Sequence, residues 1–246
     1  MTVTQDWLRC VTPRPEAAVR LICLPHAGGS ASFYSAWGAR LPQAEVHAVA
    51  YPGRAHRFDD PLAEDLVEMA REIAAAIEPL ADRPLALFGH SMGAAVALET
   101  ARALEAADVS LAHLFASGSR NGPLPGSLPP PSEDPAELMQ QLVRLGGTDP
   151  ELAEDPDFQE LVLPYALGDG KLFHAYRMSS EPLLRCPVTC VVGDADANAD
   201  IRPWAEIAPS GFAERTVAGD HFYLSESPPD EILVAALAGQ SEGQDA

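Results

Sequence analysis

The stretch Gly89-His-Ser-Met-Gly93 constrains this chain more than any other. It follows four apolar residues, Leu85 to Phe88, that predict a buried strand, and an alanine-rich helical pattern starts at Ala94. Strand, G-x-S-x-G and helix in this order predict a nucleophile elbow, a sharp turn that exposes its serine. Glycine is needed at both ends because side chains there would collide across so tight a turn. Ser91 is therefore the predicted nucleophile, and the backbone N–H of Met92, beside the helix N-terminus, is a predicted oxyanion donor.

A plain strand-to-helix turn, in which the serine only caps the helix, is the alternative interpretation. The rest of the chain must therefore supply the partners of a nucleophile. Residues 18–24 predict a strand that leads into the loop Pro25-His-Ala-Gly-Gly-Ser30. A loop at this place can hold a backbone N–H over the serine, and our candidate donor is the N–H of Ala27. The Gly-Gly pair alone would be equally typical of an ordinary turn.

Strands and helices alternate through the first half of the chain. Periodicity predicts strands over 46–51, 85–88 and 111–116, and helices over 31–41, 61–80 and 94–106. Such alternation is typical of an α/β protein with a mostly parallel central sheet and helices on both faces.

A proline-rich segment, Gly122 to Pro135, interrupts the alternation. Two helical patterns, over 136–145 and 157–176, follow it without a strand between them. We interpret them as a helical lid over the active site, the alternative being a helical excursion that packs as core. The predicted organisation is a single domain over 1–246, with a core of 1–122 and 185–246, a lid insertion over 123–184 and a frayed tail over 239–246.

The sheet resumes at 187–192 and ends in a turn rich in carboxylates. A last strand, predicted over 213–217, leads to His221. Nucleophile, acid and base in this order are typical of the α/β-hydrolase fold. Among the seven histidines, His221 alone follows the final predicted strand in a loop, so we predict it as the general base.

Three aspartates compete for the acid that orients this base, namely Asp194, Asp196 and Asp200. Asp196 lies a few residues past the strand, where its side chain can turn back toward the histidine loop. We predict Asp196 as the acid, and Asp194 stays the alternative.

Composition excludes several classes of partner. A formal net charge of -20 argues against nucleic acid and anionic membrane surfaces. No apolar run is long enough to span a bilayer, and residues 1–20 lack the apolar centre of a secretory signal. The four cysteines indicate neither a disulfide framework nor a metal site. We expect a cytoplasmic, metal-free monomer.

Five motifs, taken together and in this order, resemble the type II thioesterases of polyketide and nonribosomal-peptide assembly lines, and the resemblance extends over residues 21–224. These free-standing hydrolases cleave acyl groups from the phosphopantetheine thiol of acyl or peptidyl carrier proteins. The resemblance implies the α/β-hydrolase fold with a helical lid, a triad of Ser91, Asp196 and His221, an oxyanion hole from the N–H groups of Ala27 and Met92, and no cofactor. The motifs are Pro25-His-Ala-Gly-Gly-Ser30, Tyr51-Pro-Gly-Arg54, Phe88-Gly-His-Ser-Met-Gly93, Gly193-Asp-Ala-Asp196 and Gly219-Asp-His-Phe222.

The chain departs from the family pattern in the lid. Similar proteins often carry an Arg-x-Asp there, whereas this chain keeps Asp169 and has Leu167 where the arginine would be. This difference bears on lid dynamics and acyl preference. Rival functions are a general carboxylesterase, an acyl-transferring or cyclising thioesterase, and a catalytically silent binding protein, which an intact triad argues against.

Docking of a carrier protein would need a local basic patch, because carrier proteins are usually acidic and so is this chain. Solvated surface charge is the simpler expectation for each of the candidate residues. Those candidates are Arg54, His56, Arg57, Arg120 and Lys171.

Overall fold

A seven-stranded sheet forms the centre of the protein in the order β1-β3-β2-β4-β5-β7-β9, in a computed structural model that describes residues 6–124, 130–225 and 228–238. β1 runs antiparallel to β3, and the other neighbouring strands pair in parallel. A second sheet pairs β6 with β8. The strands are β1 (Leu8–Arg9), β2 (Val19–Leu24), β3 (Ala44–Val49), β4 (Leu85–His90), β5 (Leu111–Ser117), β6 (Ser119–Asn121), β7 (Val188–Gly193), β8 (Asp200–Arg202) and β9 (Phe212–Val217).

Side chains alternate between the two faces of the sheet, and each face has its own core. On β4, Leu85 and Leu87 belong to one cluster, and Ala86 and Phe88 belong to the other. The first cluster packs under α2 (Leu66–Ile77) and α3 (Met92–Ala106), and α7 (Trp204–Ile207) adds Trp204 and Ile207 to it. The second packs under α1 (Trp37–Arg40) and α8 (Asp230–Ala238). The prediction of an α/β-hydrolase fold, with helices on both faces of a mostly parallel sheet, is confirmed.

Two predicted helices have different limits in the structure. The helix predicted over 61–80 begins at Leu66, because the Asp65 side chain caps it by accepting a hydrogen bond from the Glu68 N–H at 2.9 Å. The helix predicted over 31–41 is a 3₁₀ turn, Ala31–Tyr34, followed by the short α1. β1, β6 and β8 have two or three residues each, which is too few for periodicity to reveal.

The described residues between β6 and β7 contain three helices, α4 (Pro135–Leu145), α5 (Pro150–Ala153) and α6 (Pro156–Ala175). Each begins with an aspartate cap followed by proline, which fixes the first turn and needs no N–H there. Sequence periodicity missed α5, which has a single turn. Residues 125–129 of the proline-rich segment and the tail over 239–246 lie outside the described residues. Among the described helices, none has both the length and the apolar content that a bilayer crossing requires.

Candidate active site

The turn between β4 and α3 holds Ser91 in a strained conformation. Its backbone angles are φ 56° and ψ −120°, a combination that costs a non-glycine residue about 1–3 kcal/mol. Both flanking glycines are required by contact with backbone atoms. A Cβ at Gly89 would lie 2.0 Å from the Gly93 carbonyl oxygen, and a Cβ at Gly93 would lie 2.2 Å from the Leu24 carbonyl oxygen. The turn therefore has the geometry that the G-x-S-x-G motif predicts.

Ser91, Ala27 and His221 line one cavity of about 330 Å³ at the carboxyl ends of the parallel strands. Met92 is the first residue of α3, so its N–H has no carbonyl to bond within the helix. That N–H lies directly after the nucleophile. The two predicted oxyanion donors thus belong to the two strand-to-helix connections that meet at Ser91.

Asp196 contacts His221 directly. The Nδ1–H of His221 donates to Asp196 Oδ2 at 2.9 Å, and both side chains are buried. With Nδ1 engaged in this way, Nε2 is the nitrogen left to take a proton from a nucleophile.

The other two candidate acids have different partners. Asp194 Oδ1 accepts a hydrogen bond from the Gly219 N–H at 2.9 Å, and Asp200 forms an ion pair with Arg202 at 2.5 Å. Asp194 therefore binds the start of the loop that carries His221 rather than His221 itself. Of the three candidates, Asp196 is the one that the fold brings to His221.

Two further histidines lie close to His221, one packed against its ring and the other packed against the first. The ring centroids of His90 and His221 are 4.9 Å apart, and His90 Nδ1 lies 2.9 Å from the Ser117 hydroxyl. Burial, together with the neighbouring His221 and His26, lowers the pKa of His90 well below its ordinary value. Burial, with His221 and Arg54 nearby, lowers the pKa of His26 to about 3. Both rings are therefore neutral near pH 7, and of these three histidines only His221 has a carboxylate partner.

Sequence reasoning missed a buried ion pair beside the oxyanion loop. Arg54 is 3% exposed and contacts Asp169 of α6 through its two terminal nitrogens, Nη1 to Oδ2 at 2.6 Å and Nη2 to Oδ1 at 2.7 Å. Asp169 also accepts a hydrogen bond from the Gly28 N–H, and Arg54 donates one to the Gly29 carbonyl. The expectation of a solvated or docking arginine at position 54 was wrong. The available signal was its place in the loop that follows β3, at the edge of the sheet where sites form.

The other basic candidates have varied surroundings. Arg57 stacks on Trp7, with 4.0 Å from its Cζ to the ring centroid, and pairs with Asp60. Arg120 donates to the backbone carbonyls of Gly193 and Asp196. His56 is exposed, and so is Lys171, which pairs with Glu133 at 2.6 Å. Arg57, Arg120 and Lys171 are thus each engaged by their own partners within the chain.

The wall of the cavity opposite Ser91 comes from α4 and α6. Its side chains are mostly apolar, and several of them belong to a smaller cluster of buried residues against which Leu167 packs. Such a wall suits an acyl chain, which gains free energy by leaving water. The apolar residues that line it are Leu138, Leu142, Leu145, Phe158, Val162 and Ala166.

One cluster elsewhere in the described residues has metal-ligand chemistry. Single ligand atoms of Cys10, Glu45 and His47 lie within 4.8 Å of one another. However, Glu45 already accepts hydrogen bonds from the guanidinium groups of Arg20 and Arg83, at 3.0 and 2.6 Å. Two positive charges on the carboxylate oppose the binding of a cation there.

Comparison with known proteins assigns the chain to a family. The model of the thioesterase domain matches residues 19–237. Thioesterase PikA5 of Streptomyces venezuelae is 40% identical over 227 residues, which are 89% of this chain and 80% of that protein. The type II thioesterase BorB of the borrelidin cluster is 37% identical with a TM-score of 0.76, covering 96% of this chain and 97% of BorB. The RedJ thioesterase of prodiginine biosynthesis in Streptomyces coelicolor is 31% identical with a TM-score of 0.81, covering 93% and 92%. This chain therefore belongs to the thioesterase family, as a type II thioesterase with the α/β-hydrolase fold.

Proposed function

We propose that this protein hydrolyses acyl groups from the phosphopantetheine arm of acyl or peptidyl carrier proteins, and so removes aberrant or stalled units from a polyketide or nonribosomal-peptide synthase. The main support is the contact of 2.9 Å between Asp196 and His221, because His221 and Ser91 line the same cavity with an apolar wall. The relatives named above, from borrelidin and prodiginine biosynthesis, support the choice of carrier-bound substrates.

In this proposal Ser91 Oγ attacks the thioester carbonyl carbon while His221 Nε2 takes its proton. The carbonyl oxygen becomes an oxyanion and accepts hydrogen bonds from the N–H groups of Ala27 and Met92. The carbon–sulfur bond then breaks, and the imidazolium returns the proton to the departing thiolate. Water attacks the acyl-serine by the same route, which releases a carboxylic acid and restores Ser91. Asp196 stabilises the imidazolium in both halves of the reaction.

The cavity gives the acyl group its place. About 330 Å³ lies at the lower end of the range for small-molecule sites, which favours short and medium acyl chains. We assign α4, α5 and α6 as a lid over this cavity. The reaction needs no cofactor or metal beyond the phosphopantetheine that the carrier protein brings. We expect a monomer that works in the cytoplasm.

The test is the intact mass of acyl carrier proteins loaded with short, branched and long acyl groups, before and after incubation with the protein. Loss of the acyl mass, with the phosphopantetheine retained, is the expected result. Ser91→Ala is the control and should leave every acyl group in place. The order of rates across the acyl series gives the preference of the cavity.

Matched p-nitrophenyl esters, measured in parallel, separate the rival functions. Hydrolysis of these esters without deacylation of the carrier protein would favour a general carboxylesterase and contradict the proposal. Release of a cyclic or amine-linked product, in place of the free acid, would identify an acyl-transferring enzyme.

A further inference from the structure

We propose that Arg54 and Asp169 are positioning residues for the oxyanion hole, and that the placement of helix α6 thereby sets the catalytic rate. The inference rests on the proposed function, in which the Ala27 N–H binds the oxyanion. It assigns a role to a buried ion pair that the triad does not use. The pair joins α6, in the insertion, to the loop that holds Ala27.

The oxyanion loop is a single tight turn. The Gly29 N–H donates to the His26 carbonyl at 2.9 Å, which closes a turn with Ala27 and Gly28 in its central positions. Gly28 has a φ of 77°, the left-handed conformation that glycine adopts most easily at the third position of a type II turn. The turn's own hydrogen bond does not use the Ala27 N–H. Among the residues that the structure describes, none accepts a hydrogen bond from the Ala27 N–H, so this donor can bind a ligand, and its direction depends on how firmly the turn is held.

Two side chains hold this turn from outside. Asp169 Oδ2 accepts from the Gly28 N–H at 2.8 Å, and Arg54 Nη1 donates to the Gly29 carbonyl at 2.9 Å. Because the two residues are also paired with each other through two parallel contacts, the peptide groups on the C-terminal side of Ala27 are fixed at two atoms. Charge-assisted hydrogen bonds with this bidentate geometry are the strongest and most directional that side chains form.

The turn also lies directly against α6. A Cβ at Gly28 would be 3.5 Å from the Ala166 Cβ, so the space between helix and turn is little more than that of one methyl group. The Arg54 guanidinium lies 4.5 Å from the ring centroid of Tyr165, one turn before Asp169 on the same helix, and 5.5 Å from that of Tyr51. The two rings restrict the plane of the guanidinium group.

Burial makes this arrangement an energetic link between α6 and the turn. Arg54 and Asp169 are only 3% and 5% exposed. If α6 moved away, a buried guanidinium would lose its counter-charge and the Gly28 N–H would lose its acceptor, which is unfavourable in a low-dielectric site. The oxyanion turn and this position of α6 therefore stabilise each other.

The experiment measures kcat and KM on an acyl-N-acetylcysteamine thioester, a small substrate that needs no carrier docking. Rates are normalised to active sites titrated with a fluorophosphonate. We expect Asp169→Ala to lower kcat about 10- to 100-fold with KM changed far less, because a donor displaced by less than an ångström loses much of its effect in the transition state. Asp169→Asn retains an acceptor for the Gly28 N–H and should recover part of that loss.

A trifluoromethyl ketone with the same acyl chain adds a readout that folding defects do not move. Ser91 would add to it and form an oxyanion in the hole, so its inhibition constant should weaken by the same factor as kcat/KM across the variants. The matched control is Lys171→Gln, which removes a charge from the same helix two residues away, in the exposed pair with Glu133. It should stay within about twofold of the wild type, as is usual for exposed pairs.

The double variant Arg54→Gln/Asp169→Asn guards against misfolding, because it leaves no buried charge unpaired. It should fold and still lose kcat. Wild-type kcat and inhibition constants in both Asp169→Ala and the double variant would overturn the inference, while an inactive Ser91→Ala left the proposed function standing. A wild-type protein that does not cleave the thioester, or a Ser91→Ala variant that does, would overturn the proposed function itself.

Discussion

The two ends of the parallel sheet differ in how their buried charges are paired, and the strained nucleophile lies at one of them. At the amino ends of β2 and β3, Arg20 and Glu45 are paired in register and linked at 3.0 Å. Glu45 also accepts from Arg83 at 2.6 Å and from the Arg14 N–H at 2.9 Å. These contacts link the two strands to each other and to the loops that hold Arg14 and Arg83, so each of these charges has a partner.

The carboxyl ends of the parallel strands carry the candidate triad and its strained nucleophile. Ser91 is strained, and His26 Nδ1 and His90 Nε2 are buried without a hydrogen-bond partner among the described residues. The charged pair at this end, Arg54 and Asp169, joins the sheet region to the helical insertion rather than to a neighbouring strand.

The comparison teaches where this fold places free-energy cost. The strained nucleophile and two buried, unpaired imidazole nitrogens lie at the end that carries the candidate triad. Arg20, Glu45 and Arg83 do not line the cavity of Ser91, so we expect them to contribute to stability alone. Substitutions at the two ends should therefore separate activity from stability.

The largest expected effect is that of Ser91→Gly. Loss of the nucleophile should lower thioester hydrolysis by about 10⁴-fold or more. Glycine accepts a φ of 56°, so the same change should raise the free energy of unfolding by about 1 kcal/mol in urea titrations. Ser91→Ala is the matched control, since alanine keeps the strain and should gain no stability. Equal stability of the two variants would mean that the turn is not strained.

At the amino end we expect Glu45→Gln to lower the free energy of unfolding by about 3 kcal/mol at pH 7, because Arg20 and Arg83 would lose their shared counter-charge. The normalised kcat should not change. Reduced kcat in the fully folded variant would break the separation between the two ends.

The same substitution predicts a difference in pH dependence. Burial alone would raise the pKa of Glu45, but hydrogen bonds from the Arg14 N–H and the Arg20 guanidinium, with those of His47, lower it to about 2. Since this pKa lies below that of the unfolded chain, the contribution is present above about pH 4.5 and is lost as the pH falls toward 2. Acid titrations should show a shallower loss of stability over that range in Glu45→Gln than in the wild type.

A smaller effect should distinguish two glycines with positive φ. At the carboxyl end, a Cβ at Gly118 would lie 2.9 Å from Cε1 of both His221 and His90, so Gly118→Ala should displace the base and lower kcat about 10-fold. At the amino end, Gly211 has a φ of 148°, and its Cβ would meet only Pro187 at 3.5 Å. Gly211→Ala should cost about 1 kcal/mol of stability with no change in kcat. A drop in kcat for Gly211→Ala would contradict the assignment of its end of the sheet.

The sequence alone determined the order of elements and the positions of the chemical groups near each strand end. The G-x-S-x-G motif spans five positions, and local steric rules predict a tight turn there, although the contact that excludes a side chain at Gly93 comes from Leu24 of β2. The alternation of strands and helices similarly follows from periodicity, which is a local property, and it was sufficient for the fold class. Short elements such as α5 were not predicted because a single helical turn is too short to show periodicity.

The tertiary structure alone decided which distant groups meet. Asp194 and Asp196 are two positions apart and chemically identical, and only the path of the turn sends one to His221, 25 residues away, and the other to the Gly219 N–H. Arg54 and Asp169 are 115 residues apart, so no local pattern could pair them. Their pairing depends on where the helical insertion lies relative to the sheet. Because an unpaired buried charge is costly, burial favours the pairing, but only once the chain has folded.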